Sequence, residues 1–351
     1  MPDQIPTSQT VAWIENPSPS CTLQIRKNAI VQSPGPHELL VKLECSGICH
    51  SDVMNVLGRG KYTEIPGHEG VGTVVQLGAG AAQSLLGKRV GVKWLWSACG
   101  QCSVCKKGFI NYCPRQRNTG RTDLGTLQQY CLAHADYVTE IPEGVRSEVA
   151  APLLCAGLSL AGAVSRLAPE VQPGDSVVIL GAGGGLGHIG VQYASIKGLK
   201  VIAIDSGAEK EKLCEEMGAV AFIDYAKQDV AQAVRDLTEG EGAHAVICVA
   251  GSERAYSQAP DLVRNSGVIV CVGLPPDNFM FPMCPKVIAN RGLVVRGSST
   301  GTNEQMDELL QLALEGKITP KVEVYDFADA PKIIQELERF EVTGRKVVRA
   351  P

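Results

Sequence analysis

The chain predicts an α/β protein in which a doubly wound parallel sheet is joined to a smaller, mostly β unit. Three observations carry this. Beyond Pro152, the apolar runs SVVIL, KVIAID, AVAFIDY, HAVICVAG and GVIVCVG alternate with helix-like stretches. That alternation signals parallel strands with helices on both faces. The first third instead offers short strand-like runs, VAWIE, ELLVKLECSG and GVGTVVQLG, between Gly and Pro breaks, as a barrel-like β unit does. Finally, SVVIL opens directly into GAGGGLG before a helical stretch, the strand–turn–helix layout of a phosphate-binding turn.

The 351 residues and 44% hydrophobic content suit about two domains with a substantial core. The expected boundaries are 1–155 for the β unit, 156–297 for the parallel sheet, and 298–351 for a return to the first unit. Net charge is −4, from 33 Lys+Arg and 37 Asp+Glu with the signs interspersed. No basic stripe exists, so nucleic acid and acidic membrane surfaces are poor partners. MPDQIPTSQT lacks the apolar core of a secretory signal, and no run of 18 apolar residues appears; the expectation is a cytoplasmic protein. Thirteen cysteines, odd in number, argue for metal thiolates in a reducing compartment over a disulfide framework.

Four of them, Cys99, Cys102, Cys105 and Cys113, stand in CGQCSVCKKGFINYC. The C-x2-C-x2-C-x7-C spacing lets one tetrahedral zinc gather four thiolates, and a closed sulfur shell leaves no position for substrate. This reads as a structural zinc lobe; free thiols or disulfides are the bland alternatives. In the glycine turn, Gly181, Gly183, Gly184, Gly185, Leu186 and Gly187 are the expected pyrophosphate contacts. A literal G-x-G-x-x-G occurs only at Gly185, Gly187 and Gly190, so the turn is one residue longer than the usual fingerprint. The next strand ends at Asp205. A carboxylate there accepts from both ribose hydroxyls and repels a 2′-phosphate, which favours NAD over NADP. A solvated turn residue is the alternative for Asp205.

Three further groups stand out: Cys49 and His50 in SGICHSD, His68 and Glu69 in PGHEG, and Cys155 in APLLCAG. Cys49, His68 and Cys155 could make a Cys2His zinc site with an open position. Spacing alone does not establish it. Cys155 in an apolar helix also reads as a small buried hydrophobe, and His68 as a turn residue. Gly72 stands where a metalloprotease H-E-x-x-H would need its second histidine.

CHSD, GHEG, the cysteine lobe, AAPLLCAG and GAGGGLG occur in the order seen in zinc-dependent medium-chain alcohol dehydrogenases. WLWSACGQCSVCKKGFINYCP and ADYVTEIPEGV resemble the yeast-type fungal branch, and the similarity covers essentially the entire chain. The resemblance implies a GroES-like catalytic domain, a Rossmann coenzyme domain, two Zn2+ per subunit and NAD(H). It implies that Cys49, His68 and Cys155 bind the catalytic zinc, with Glu69 beside it as a transient ligand. It implies that Asp52 supports the ligand histidine and that Ser51 hydrogen-bonds the substrate oxygen. His50 would contact the pyrophosphate, Asp205 and Lys210 the adenosine ribose, and Arg345 the coenzyme late in the chain. A homo-oligomer is implied, a tetramer ahead of a dimer.

The yeast-type proton relay continues to a histidine whose place here falls at Met54, which cannot shuttle a proton. The stretch from His50 to His68 is about four residues shorter than in that branch, and its usual tryptophan is Val56. These departures surround the expected substrate region, which Trp94 or Trp96 could also line; aromatic strand residues packed in the core are the alternative for both. The expected activity is hydride transfer between NAD(H) and an alcohol or carbonyl compound other than ethanol. The rival readings are a reductase of C=N or activated C=C bonds and a non-catalytic zinc- and nucleotide-binding protein. His134, His188 and His244 receive no chemistry; His188 could approach a phosphate or face solvent.

Overall fold

The computed structural model describes residues 4–340 and 342–351. The chain divides into two compact units. One comprises Met1–Cys155, Met306–Gly316 and Pro320–Pro351; the other comprises Ala156–Gln305 and Lys317–Thr319. Residues 298–305 thus stay with the second unit, where the sequence suggests a return to the first from 298. The reason is local: a Cβ at Gly162 would lie 2.8 Å from the Thr300 carbonyl oxygen and 2.9 Å from the Gly301 amide. The missing side chain lets the segment after the last parallel strand lie directly on the helix Leu158–Ser165.

The second unit is built on a six-stranded parallel sheet. In space its strands run Ala221–Asp224, Lys200–Asp205, Ser176–Leu180, Ala243–Cys248, Val263–Cys271 and Val294–Gly297. In chain order this is 3-2-1-4-5-6, the dinucleotide-binding arrangement whose order reverses beside the first strand. Alternate side chains build two separate cores. Val177, Ile179, Val201, Ala203, Ala245 and Ile247 face one; Val178, Leu180, Ile202, Ile204, Val246 and Cys248 face the other. Burial on both faces explains why these strands read as unbroken apolar runs.

The first unit holds a seven-stranded sheet in the order Val322–Tyr325, Arg345–Arg349, Glu38–Ile48, Gly70–Leu77, Arg89–Val92, Thr139–Glu140, with Tyr130–His134 paired to Glu38–Ile48. Arg345–Arg349 pairs antiparallel with the end of the long strand, Lys346 opposite Ile48 and Arg349 opposite Cys45. The C-terminal strand therefore runs beside the segment that leads into Cys49. The short helix His50–Val56 packs through Val53, Val56 and Leu57 into a core shared with Ile333, Ile334 and Val348. Val56, expected near substrate, is 1% exposed and belongs to this core.

One helical stretch, Ser147–Ser165, is long and apolar enough to cross a membrane by length and composition, but 78% of that window is buried inside the protein. Its middle is a π-turn, Leu153–Gly157, between α-helical Ser147–Pro152 and Leu158–Ser165. Pro152 lacks the amide a regular ladder needs, and such bulges recur at functional sites. Cys155 sits on this turn. All thirteen cysteines are free of disulfides.

Candidate metal centres and coenzyme turn

Two clusters place four metal-ligating atoms within 4.8 Å of one another: Cys99, Cys102, Cys105 and Cys113, and Cys49, His68, Glu69 and Cys155. In the first, the short helix Ser103–Lys106 is capped by the Cys102 sulfur, which accepts from the Cys105 amide at 3.4 Å. The Cys113 sulfur accepts from the amides of Cys99 and Arg115, both at 3.4 Å. Neighbouring sulfurs lie 3.5 Å (Cys113–Cys99) and 3.9 Å (Cys99–Cys105) apart. Backbone donors from Gln101 and Cys102 pull the Cys99 thiol down to about 6, while burial pushes Cys105 up to about 12. Thiolates gathered by tetrahedral zinc at about 2.3 Å stand about 3.8 Å apart, so the donor set and its spacing fit zinc.

The second cluster is assembled from three remote stretches, and Asp52 organises it. Its Oδ2 accepts from the Cys49 amide at 2.8 Å, which caps the helix His50–Val56. Its Oδ1 accepts from the Gly67 amide at 3.0 Å and lies 3.2 Å from His68 Nδ1. One buried carboxylate thus starts the helix, pins the Gly67 turn and orients the imidazole so that Nε2 faces the sulfurs. His68 Nε2 is 3.3 Å from Cys155 Sγ, and the Cys49 and Cys155 sulfurs are 4.0 Å apart. Those separations match two edges of a tetrahedral site with two sulfur ligands and one nitrogen. The Ser51 hydroxyl lies 3.9 Å from Cys49 Sγ.

The electrostatics are those of a cation site. A hydrogen bond from Cys155, helped by Arg345 and His68, holds the Cys49 thiol well below its usual range against the cost of burial. That same bond and burial hold Cys155 well above it. Burial opposes charge on His68, but Asp52 and the Cys49 thiolate raise it well above the ordinary histidine value. Burial lifts Glu69 to about 7, against the pull of Arg345. Glu69 Oε2 is buried with no hydrogen-bond partner among the described residues. That oxygen points toward Gly47, whereas Oε1, 4.0 Å from His68 Nε2, is the one that faces the cluster; two sulfurs, an imidazole and a buried carboxylate together make a donor set that suits a divalent cation.

Arg345, expected as a coenzyme contact, is 4% exposed and forms an ion pair with Glu69 Oε1. Sequence reading missed this pair. The signal available was the Lys/Arg-containing last strand, whose register beside residues 45–48 only the fold supplies. The ring of His50, the expected pyrophosphate contact, stacks on Phe340 at 5.0 Å between centroids. Trp94 stands edge-on to the His68 ring at 5.2 Å. Trp96 is 4% exposed, with Arg117 over its ring at 5.7 Å.

In the second unit, the turn from Gly181 runs into the helix Gly187–Ile196. Gly181 has φ +86°, a left-handed conformation open to glycine. Asp205 Oδ2 accepts from the Gly183 amide at 3.0 Å, and its Oδ1 receives the Lys210 ammonium at 2.8 Å and the Ser206 amide at 2.9 Å. A Cβ at Gly183 would lie 2.5 Å from that of Lys210, so turn, Asp205 and Lys210 form one packed group. Gly184, Gly185 and Leu186 complete the turn, and Gly190 lies where a Cβ would meet Leu160. His188 is fully buried, its Nδ1 2.9 Å from the Gly184 carbonyl oxygen; it does not face solvent. His134 stacks against His37 and Tyr137. His244 lies between Ser176, Asp175 and Arg264.

Comparison with known proteins accords with this geometry. Residues 35–143 match the alcohol dehydrogenase GroES-like domain, and residues 185–315 match the zinc-binding dehydrogenase domain. Alcohol dehydrogenase 1 of Emericella nidulans is 37% identical over 334 residues, 93% of this chain and 94% of that protein. An alcohol dehydrogenase of Geobacillus stearothermophilus is 39% identical over 316 residues, 89% of this chain and 91% of that one. The solved structure of acetophenone reductase from Geotrichum candidum in complex with NAD superposes with a TM-score of 0.86 at 26% identity, covering 98% of each chain. The chain belongs to the zinc-dependent medium-chain alcohol dehydrogenase family and is an NAD-dependent oxidoreductase of that family.

Proposed function

We propose that Cys49, His68 and Cys155 hold the catalytic zinc, that Cys99, Cys102, Cys105 and Cys113 hold a structural one, and that the enzyme interconverts alcohols and carbonyl compounds other than ethanol. The supporting observation is the contrast between the clusters: one offers four sulfurs, the other two sulfurs, an imidazole and a buried carboxylate. Zinc bound there supplies Lewis acidity toward an alcohol or carbonyl oxygen. Asp52 fixes the His68 tautomer by accepting at Nδ1. The Ser51 hydroxyl, 3.9 Å from the ligand sulfur of Cys49, would lie near a substrate oxygen on the metal's open position, where it can accept and release the alcohol proton. Arg345 neutralises Glu69, keeping a second negative charge from the cluster. Met54, on the same helix, offers no onward proton acceptor, so Ser51 would hand its proton to a cofactor ribose or to water.

The glycine turn, His50, Asp205 and Lys210 are the proposed coenzyme contacts. Asp205 selects NAD, because its carboxylate would face a 2′-phosphate. A homo-oligomer suits the outer edge of Val294–Gly297, which pairs with no further strand among the described residues. It also suits the exposure of Leu274 (80%) and Met280 (83%) shortly before that strand; such apolar surface is suited to a second copy.

Elemental analysis should return two zincs per chain. A screen of aldehydes, ketones, enones and cyclic imines followed at the nicotinamide absorbance band should give carbonyl turnover with NADH. Asp205→Ser should weaken NADH use about tenfold and narrow its advantage over NADPH. Turnover confined to imines or enones, or an NADPH preference in the wild type, would overturn the corresponding part of the assignment.

A further inference from the structure

The loop 117–123 carries two arginine–tryptophan stacks that differ in one respect. The Arg117 guanidinium lies over Trp96 at 5.7 Å and is paired with Asp123. The Arg121 guanidinium lies over Trp94 at 5.9 Å, and among the described residues no carboxylate pairs with it. Arg121 is half-buried. The acid its neighbour uses is already engaged, bonded also by the Thr122 hydroxyl at 2.9 Å.

Its position is fixed from three sides. Gly120, at φ +76°, packs so tightly that a Cβ would lie 2.7 Å from the Gly67 carbonyl oxygen, and its own carbonyl accepts from Asn55 Nδ2 at 3.0 Å. Gly67 directly precedes His68. Trp94 touches both groups, with the guanidinium over its ring and the His68 imidazole at a T-shaped angle to it, 5.2 Å between centroids. On the remaining side is Gly60, at φ +116°, where a Cβ would lie 2.9 Å from Arg121 Nη2. Gly60 belongs to the shortened stretch between His50 and His68. A permanent cation with five donors thus shares the Trp94 ring with a histidine of the metal cluster, with no anion among the described residues to neutralise it.

We propose that Arg121 is the residue that recognises substrate, and that the substrate is an alcohol or carbonyl compound bearing a terminal anionic group several carbons from the reacting carbon. The inference rests on the oxidoreductase assignment above. A guanidinium with no internal acid accepts a carboxylate or phosphate through two parallel hydrogen bonds, and Trp94 supplies an apolar wall for the intervening methylenes. The guanidinium carbon is 5.9 Å and the imidazole centroid 5.2 Å from the Trp94 ring centre, so a substrate that engages both must run along that ring, which suits an anion several carbons from the reacting carbon better than a 2-hydroxy acid, whose carboxylate adjoins it. The Arg117 stack shows what a purely structural arginine looks like here: it brings its own aspartate.

The test pairs 5-oxopentanoate with its methyl ester, equal in reach and different in charge. The wild-type enzyme with NADH should favour the acid at least about tenfold in kcat/KM. Arg121→Met should lose at least about tenfold on the acid, mostly in KM, and change less than about twofold on the ester; Arg121→Lys should recover part of the loss. Equal losses on both substrates, or no wild-type preference, would make the arginine structural and overturn the proposal. Glyceraldehyde 3-phosphate distinguishes the source of the anion: a larger Arg121 dependence there names a phosphate. Binding of glutarate, followed through Trp94 fluorescence with Trp94→Phe as control, gives a readout without turnover. It should saturate in the wild type and vanish in Arg121→Met; no binding to the wild type would sink the proposal even if the ester is reduced. An ester reduced normally keeps the hydride-transfer assignment intact whichever way the arginine falls.

Discussion

The two metal-ligating clusters are made from nearly the same chemistry by opposite means. The lobe draws its sulfurs from fifteen consecutive residues, 99–113, and its turns are capped by its own thiols. The second cluster draws on residues 49, 68, 69 and 155 and exists only once a sheet, a short helix and a π-turn have been placed. A local cluster can couple its own folding to metal, whereas a dispersed one inherits its geometry from a fold already made. On the proposed assignment the first serves stability and the second chemistry.

Paired cysteine substitutions would break that comparison most sharply. Cys155→Ser should leave one zinc per chain, a fold within a few degrees of the wild-type Tm, and about 10³-fold less turnover or worse. Cys102→Ser should also leave one zinc, but with loss of several kcal/mol of stability. Elemental analysis with thermal unfolding reads both. If Cys155→Ser unfolds the protein and Cys102→Ser merely slows it, the roles are reversed.

The same contrast explains what the sequence could and could not disclose. The lobe was legible from spacing, because its ligands are neighbours in the chain. The parallel sheet was legible too, because strands buried on both faces read as runs such as SVVIL and KVIAID. Asp205 followed from its place at a strand end. The place of Cys155 in the cluster was legible only through resemblance: nothing in LLCAG tells a thiol aimed at other donors from a packed one until the π-turn brings it to 3.3 Å from His68 Nε2. The Arg345–Glu69 pair, 276 residues apart in sequence, was not legible, since strand register in a mixed sheet leaves no local mark. Val56 misled for the converse reason. Its position invited comparison with a pocket residue, but a helix one turn from Asp52 turns that side chain into the core.

Asp52 sharpens the comparison at the next level of effect, because the lobe has no counterpart to it. Asp52→Asn keeps the volume and one acceptor but turns an N–H toward either the Cys49 amide, the Gly67 amide or His68. Loss of such a supporting partner costs about 10–100-fold in metal affinity or activity. Competition with a chromogenic chelator should show one zinc loosened by that factor and the other unchanged. Equal loosening of both would mean that Asp52 supports the fold as a whole.

The smallest effect concerns charge buried in the same unit without a metal to justify it. Lys93 is 4% exposed, and its ammonium donates to Thr139 Oγ1 at 2.6 Å. Burial lowers it from 10.5 to about 8, with Asp307 opposing the shift. The sign follows from proton counting. Below about pH 8 both folded and unfolded chains carry the proton, and the folded state bears the cost of a buried charge. Between about pH 8 and 10.5 the folded state releases its proton first, so the unfolded chain binds more and stability rises with pH. Lys93→Met removes the charge and leaves the Thr139 hydroxyl without its donor, so the net gain at about pH 7 should be about 1 kcal/mol. That gain should shrink from about pH 8 and be gone, or reversed, by pH 10.5, as read from urea unfolding of zinc-saturated wild type and variant side by side. A difference that stays constant across the range would show that the ammonium keeps its proton in the folded state, its charge compensated by the groups around it.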